Sequence, residues 1–172
     1  MKKQILLVIA LAGYCCGAVA QNVSPIVQEG TVNTSIDTVW RAWTTSEGLQ
    51  SWLAPHAAID LRVGGKMRAN YDAAGSLDDG QAIENTILSY EPERMLSIRV
   101  SKAPDGFPFA DVIQDMWTVV YFEPRGPNAT QVRVVSLGFT TEPQSQAMRA
   151  FFEQGNADTV RQMQERIGAG SP

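Results

Sequence analysis

The sequence holds a single histidine, His56, directly after Pro55. Imidazole ionises near neutrality, which suits a general base or an anchor for a ligand's polar group. The competing reading is a solvent-facing histidine in a loop. Glu84 and Asp115 are the other candidates for acid–base work, with Arg68, Arg99 and Arg133 in neighbouring segments. Turned inward and desolvated, either carboxyl would have a raised pKa and serve as an acid, a base or a polar anchor in an apolar pocket. Turned outward, such residues form cross-strand ion pairs worth about 0.2–1 kcal/mol each. One histidine cannot build a multi-histidine metal site, so zinc or another transition metal is not expected. The carboxylates between Asp72 and Asp79 suit a hard cation at best, and Asp78-Asp79-Gly80 reads more simply as a turn. Ser24, Ser51 and Ser136 have no histidine partner at a recognisable spacing, and Gly64-Gly65 lacks the spacing of a phosphate loop. No catalytic set, metal site or cofactor site is therefore assigned.

Broad apolar side chains are the stronger signal. Trp117, Tyr121, Phe151, Phe152 and Met163 are candidates for a cavity wall, with Glu84, Asp115 and His56 as its polar members. Trp40 and Trp43 are expected to pack a helix against a sheet. Strand alternation through Ile113, Asp115, Trp117, Val119 and Tyr121 would place these residues on one side.

The elements that must position them follow from periodicity and turn chemistry. Ile26 to Asn33 is compatible with a strand. Ser35 or Asp37 can cap a helix carrying Val39, Trp40 and Trp43, and Ser46 opens a second short helix that Pro55 prevents from continuing. Six strands are expected over Ala57–Arg62, Lys66–Asp72, Gln81–Tyr90, Met95–Ser101, Gln114–Phe122 and Gln131–Gly138, separated by Gly- and Pro-containing turns. Lys102 to Asp111, with Pro104, Phe107, Pro108 and Phe109, is a long irregular stretch and a candidate lid. A terminal helix follows Glu142, with a kink or break at Gly155-Asn156. One helix covering an antiparallel sheet gives an α+β fold, and a curved sheet leaves a gap beneath that helix.

Residues 1–20 read as a signal peptide. Lys2 and Lys3 are basic, Ile5 to Ala12 is apolar but short for a membrane span, and Ala18-Val19-Ala20 offers a cleavage site after Ala20. Cys15 and Cys16 would leave with it, giving a mature chain without thiols that depends on its core. The expected location is secreted or periplasmic, with no stable membrane insertion after cleavage. Without Lys2 and Lys3 the 14 basic residues fall to 12 against 18 acidic ones, a formal net charge of −6. That balance disfavours nucleic acid and anionic membrane surfaces.

The combination Val39-Trp40-x-x-Trp43-Thr44, Trp52-x-x-Pro55, Val63-Gly64-Gly65, Ile87-Leu88-x-Tyr90-x-Pro92-x-Arg94 and Gly138-Phe139 resembles the START-like (SRPBCC) superfamily. Within it, the chain is most similar to the branch related to the activator of the heat-shock-ninety ATPase. The resemblance spans roughly Ile26 to Ile167, so the domain is drawn at residues 26–168. It implies a helix-grip fold, a curved antiparallel sheet of about six to seven strands around a long C-terminal helix, with two short helices after the first strand. It also implies a cavity for a lipid-like or aromatic molecule. Where the family often has Gly-Trp in the last helix, this chain has Gly155-Asn156. Three functions follow as expectations: binding of a small apolar or amphipathic molecule, a cavity enzyme of cyclase, dehydratase or hydrolase type using a buried carboxylate, or a protein-interaction module.

Overall fold

Ser35 starts helix α1 (Ile36–Thr44): its Oγ accepts the Thr38 N–H at 3.3 Å, and Asp37 places negative charge in the first turn. Thr45 ends α1 and caps α2 (Ser46–Trp52), accepting the Gly48 N–H at 2.9 Å. The second cap is thus Thr45, one residue before the expected Ser46. The Ser46 hydroxyl instead accepts the Ile59 N–H at 3.2 Å and ties α2 to the sheet. This computed structural model describes residues 23–168. The expected signal peptide, with Cys15, Cys16 and Ala20, lies outside the described residues.

The strands are β1 (Ile26–Val32), β2 (His56–Ile59), β3 (Lys66–Asn70), β4 (Ile83–Glu91), β5 (Met95–Lys102), β6 (Trp117–Pro124) and β7 (Thr130–Leu137). They form one antiparallel sheet in the order β1-β7-β6-β5-β4-β3-β2. The sheet curls as a half-barrel around helix α3 (Pro143–Arg166), an α+β helix-grip fold. The strand expected from Gln114 begins only at Trp117. Ile113–Asp115 forms a 3-10 turn, closed by Asp115 N–H to Val112 O at 3.1 Å and Met116 N–H to Ile113 O at 3.3 Å. The alternation drawn through Ile113 and Asp115 therefore does not exist: Ile113 is buried and Asp115 is exposed.

Register decides which face is inside. Val120 pairs with Val134 and Phe122 with Val132, and all four join Val160 and Met163 of α3 in the main core. The intervening residues face outward. There the Arg133 guanidinium sits 4.5 Å from the Tyr121 ring centre and that of Arg99 5.9 Å from Trp117. Beneath the helices Trp43 and Trp52 stack with centroids 4.9 Å apart. The Trp52 indole N–H donates to Ala42 O at 3.0 Å, and that of Trp43 to the Met163 sulfur at 3.3 Å. Burying each such side chain contributes about 1.5–3 kcal/mol or more.

Helix α3 runs unbroken through Gly155-Asn156, where a kink or break was expected. Both its ends are tied down. At the C-terminal end a Cβ on Gly30 of β1 would lie 2.7 Å from Val160 Cγ1, so only glycine permits this close approach. Gln164 Nε2 donates to Thr31 O and Arg166 Nη1 to Trp52 O, both at 3.0 Å. At the N-terminal end Ser145 Oγ accepts the Thr140 N–H at 2.9 Å, and Met148 is fully buried. Between these anchors the helix stands over a gap.

Candidate functional site

That gap is a hollow of about 450 Å³, within the range of roughly 300–1,000 Å³ usual for small-molecule sites. Its floor is Ile83 of β4 and Val100 of β5, adjacent to the second core cluster around Ile113. One wall is the loop after β5, through Ala103, Pro104 and Phe107. The roof is the middle of α3, with Phe151, Phe152, Gly155 and Asn156, and Leu53 and Tyr71 complete the far side. Phe151 meets Phe107 and Phe109 with ring centroids 5.7 Å from each, and Phe107 lies 5.6 Å from Phe109. The loop expected to be a lid therefore meets the roof through edge-to-face and tilted ring contacts. Such pairs contribute about 0.5–1.5 kcal/mol each beyond their burial.

Polar groups are few and, apart from the Tyr71 hydroxyl, belong to α3. Asn156 is 8% exposed, and its Nδ2 donates to Ser136 Oγ at 2.9 Å. Ser136 in turn shares a 3.1 Å hydrogen bond with Thr118 Oγ1 across the β6–β7 pair. No hydrogen bond among the described residues engages Asn156 Oδ1, and Asn156 lines the hollow. Asp158 lies at the rim. Hydrogen bonds from Arg161 first and Gln154 second hold its carboxyl below the usual carboxylate range, the wrong sense for a general acid.

The residues singled out from sequence are dispersed. Phe151 and Phe152 line the hollow. Met163 lies deeper, in the core under the Trp43 indole. Trp117 and Tyr121 lie on the outer face of the sheet. Glu84 pairs with Lys66 at 3.0 Å and accepts from Ser101 at 2.9 Å; these contacts, Lys66 foremost, lower its pKa. It is therefore not the desolvated carboxyl with a raised pKa that an acid role needs. Asp115 borders a surface depression of about 370 Å³ with Trp117 and Gly138. Gly138 has φ +91, and a Cβ there would run into the Asp115 carbonyl. His56 stands at the start of β2, its Nε2 3.2 Å from Ala73 O, and does not line the hollow. Among the described residues no group of three His, Cys, Asp or Glu side chains is placed to hold a metal.

The sequence argument missed Ile83, Val100, Asn156 and Gln162 as lining residues. Asn156 carried a usable signal: an amide at a helix position whose neighbours four residues away on either side, Phe152 and Val160, are apolar. A depression of about 400 Å³ around Tyr121 and Arg133 is lined largely by charged side chains, including Glu29, Arg94 and Glu123.

Comparison with known proteins agrees with this geometry. The family model described as "Activator of Hsp90 ATPase homolog 1-like protein" matches residues 33–168. No curated protein matches the chain. Among solved structures, a Mesorhizobium loti protein superposes with a TM-score of 0.65 at 19% identity, over 86% of this chain and 99% of that one. The Aha1 dimer from Colwellia psychrerythraea gives a TM-score of 0.65 at 14% identity, over 87% and 100%. Norcoclaurine synthase from Thalictrum flavum, in complex with dopamine and hydroxybenzaldehyde, gives 0.61 at 11% identity, over 99% of both chains. At these identities the likeness is one of fold.

Proposed function

From the premise that this chain belongs to the activator of Hsp90 ATPase homolog 1-like family and has its ligand-binding type of fold, we propose that it is a carrier or receptor for a small apolar molecule, lipid-like or aromatic. The observation that carries this reading is the hollow itself. Ile83, Val100, Phe107, Phe151 and Phe152 present an apolar lining that no side chain among the described residues fills. Apolar walls with a few placed polar groups are the usual design of a small-molecule site. The norcoclaurine synthase structure, similar in fold, holds dopamine and hydroxybenzaldehyde, aromatic molecules of a size such a hollow accepts.

We also propose export to the periplasm with cleavage after Ala20, from the basic start, the short apolar run and the small residues before the cut. Sequencing the amino terminus of protein recovered from a periplasmic fraction should then give Gln21. Unprocessed protein retained in the cytosol would rule this out.

Ligand binding is tested by native mass spectrometry of protein purified from its own host, followed by calorimetric titration with apolar probes. Intrinsic fluorescence is a poor readout, since none of the four tryptophans lines the hollow. A Phe152→Trp variant supplies a reporter there. Protein that carries nothing and takes up no fatty acid, alkylbenzene or aromatic probe would sink the proposal.

A further inference from the structure

The polar side of the hollow says more than its apolar walls do. Ser136 is fully buried and held between Thr118 and Asn156. Since Asn156 Nδ2 is committed to Ser136 Oγ, the planar amide turns its Oδ1 away from the serine. Among the described residues no donor meets that oxygen, although the residue is nine-tenths buried and lines the hollow. Two neighbouring polar groups on α3 are engaged elsewhere: Thr159 Oγ1 donates to Gly155 O at 2.8 Å, and Asp158 accepts from Arg161 and Gln154; Gln162 also lines the hollow.

We infer that the hollow is specific for a ligand with an otherwise apolar body and one hydrogen-bond donor, a hydroxyl or an N–H, seated on Asn156 Oδ1. The inference rests on the apolar-ligand reading above and deepens it. Ser136 and Thr118 act as positioning residues, holding the amide in place through the contact of Asn156 Nδ2 with Ser136 Oγ. A ligand that covers this acceptor without donating to it cuts it off from water and leaves it unpaired, so the site discriminates against analogues that cannot donate.

Three probes of matched shape test it by titration calorimetry on the full chain: para-hexylphenol, its methyl ether para-hexylanisole, and hexylbenzene. The phenol is expected to bind about tenfold more tightly than the anisole, which is about 1.4 kcal/mol. Asn156→Leu keeps the shape and removes the acceptor, and should bind all three within about twofold of one another. Ser136→Ala releases the amide and should lower the preference for the phenol over the anisole. Equal affinity for phenol and anisole in the unmodified protein, or tighter binding of the anisole, overturns the inference while the apolar-ligand reading stands. Failure of all three probes to bind overturns both. The ratio in the unmodified protein decides the matter even if a variant does not fold.

Discussion

Replacing Gly155 with alanine tests whether α3 is a continuous rod standing clear of the sheet. Glycine in a helix interior is about 0.8–1.0 kcal/mol less favourable than alanine. A Cβ built on Gly155 meets no heavy atom within 4 Å, so nothing opposes that gain. The expected stabilisation is about 0.8–1.0 kcal/mol, which raises Tm by about 2–4 °C in a protein of this size. In urea, with a slope of about 1–3 kcal/mol/M, the midpoint moves up by roughly 0.3–1 M at unchanged slope. Gly30→Ala is the matched opposite. There the new methyl lies 2.7 Å from Val160 Cγ1 and 2.8 Å from Gln164 Nε2. Val160 is stiff, being β-branched, and the expected loss is about 1–3 kcal/mol. A neutral or destabilising Gly155→Ala would mean that the helix breaks there or that the space beneath it is filled. Either result would remove the basis for a hollow.

Met163→Ala should cost about 2–5 kcal/mol in urea unfolding, because it opens a cavity and leaves the Trp43 indole N–H without its sulfur partner. Phe151→Ala removes the ring that Phe107 and Phe109 rest on, so limited proteolysis within the loop from 103 to 112 should quicken several-fold; an unchanged rate would show that those rings do not hold the wall. Asp79 carries a pH signature. The backbone N–H groups of Ser76 and Gln81 hold its carboxyl below the ordinary value of 3.8. Its stabilising contribution is therefore complete above that value and is lost as pH falls through the lower folded-state pKa. Asp79→Ala should weaken the fold at neutral pH, and the gap between variant and parent should close on acidification. A gap that stays constant to low pH would refute this.

Local chemistry told the elements apart better than their insides from their outsides. The α1 cap at Ser35, the seven strands and the terminal helix were all legible from periodicity and turn residues. The face of β6 was not. Alternation divides Trp117, Val119 and Tyr121 from Thr118, Val120 and Phe122, but a period of two does not say which set meets the helix. Here the outer set is the aromatic one, because Arg99 and Arg133 cover the rings of Trp117 and Tyr121. The false strand start at Gln114 has a similar cause. Ile113 is buried in a 3-10 turn, where one apolar residue beside a strand imitates another step of alternation. Site residues drawn from separate elements, such as Ile83, Leu53 and Asn156, become neighbours only through the curl of the sheet, and no local pattern records that.

The tethering of α3 at both ends has a consequence for how cargo is exchanged. A roof bolted at Met148 and again at Arg166 does not swing, so traffic must pass the ring-latched segment after β5. Residence time is then governed by a handful of phenylalanine contacts, while melting is governed by the tryptophan-rich interior. Thermal hardening of the interior should leave the rate of unloading untouched.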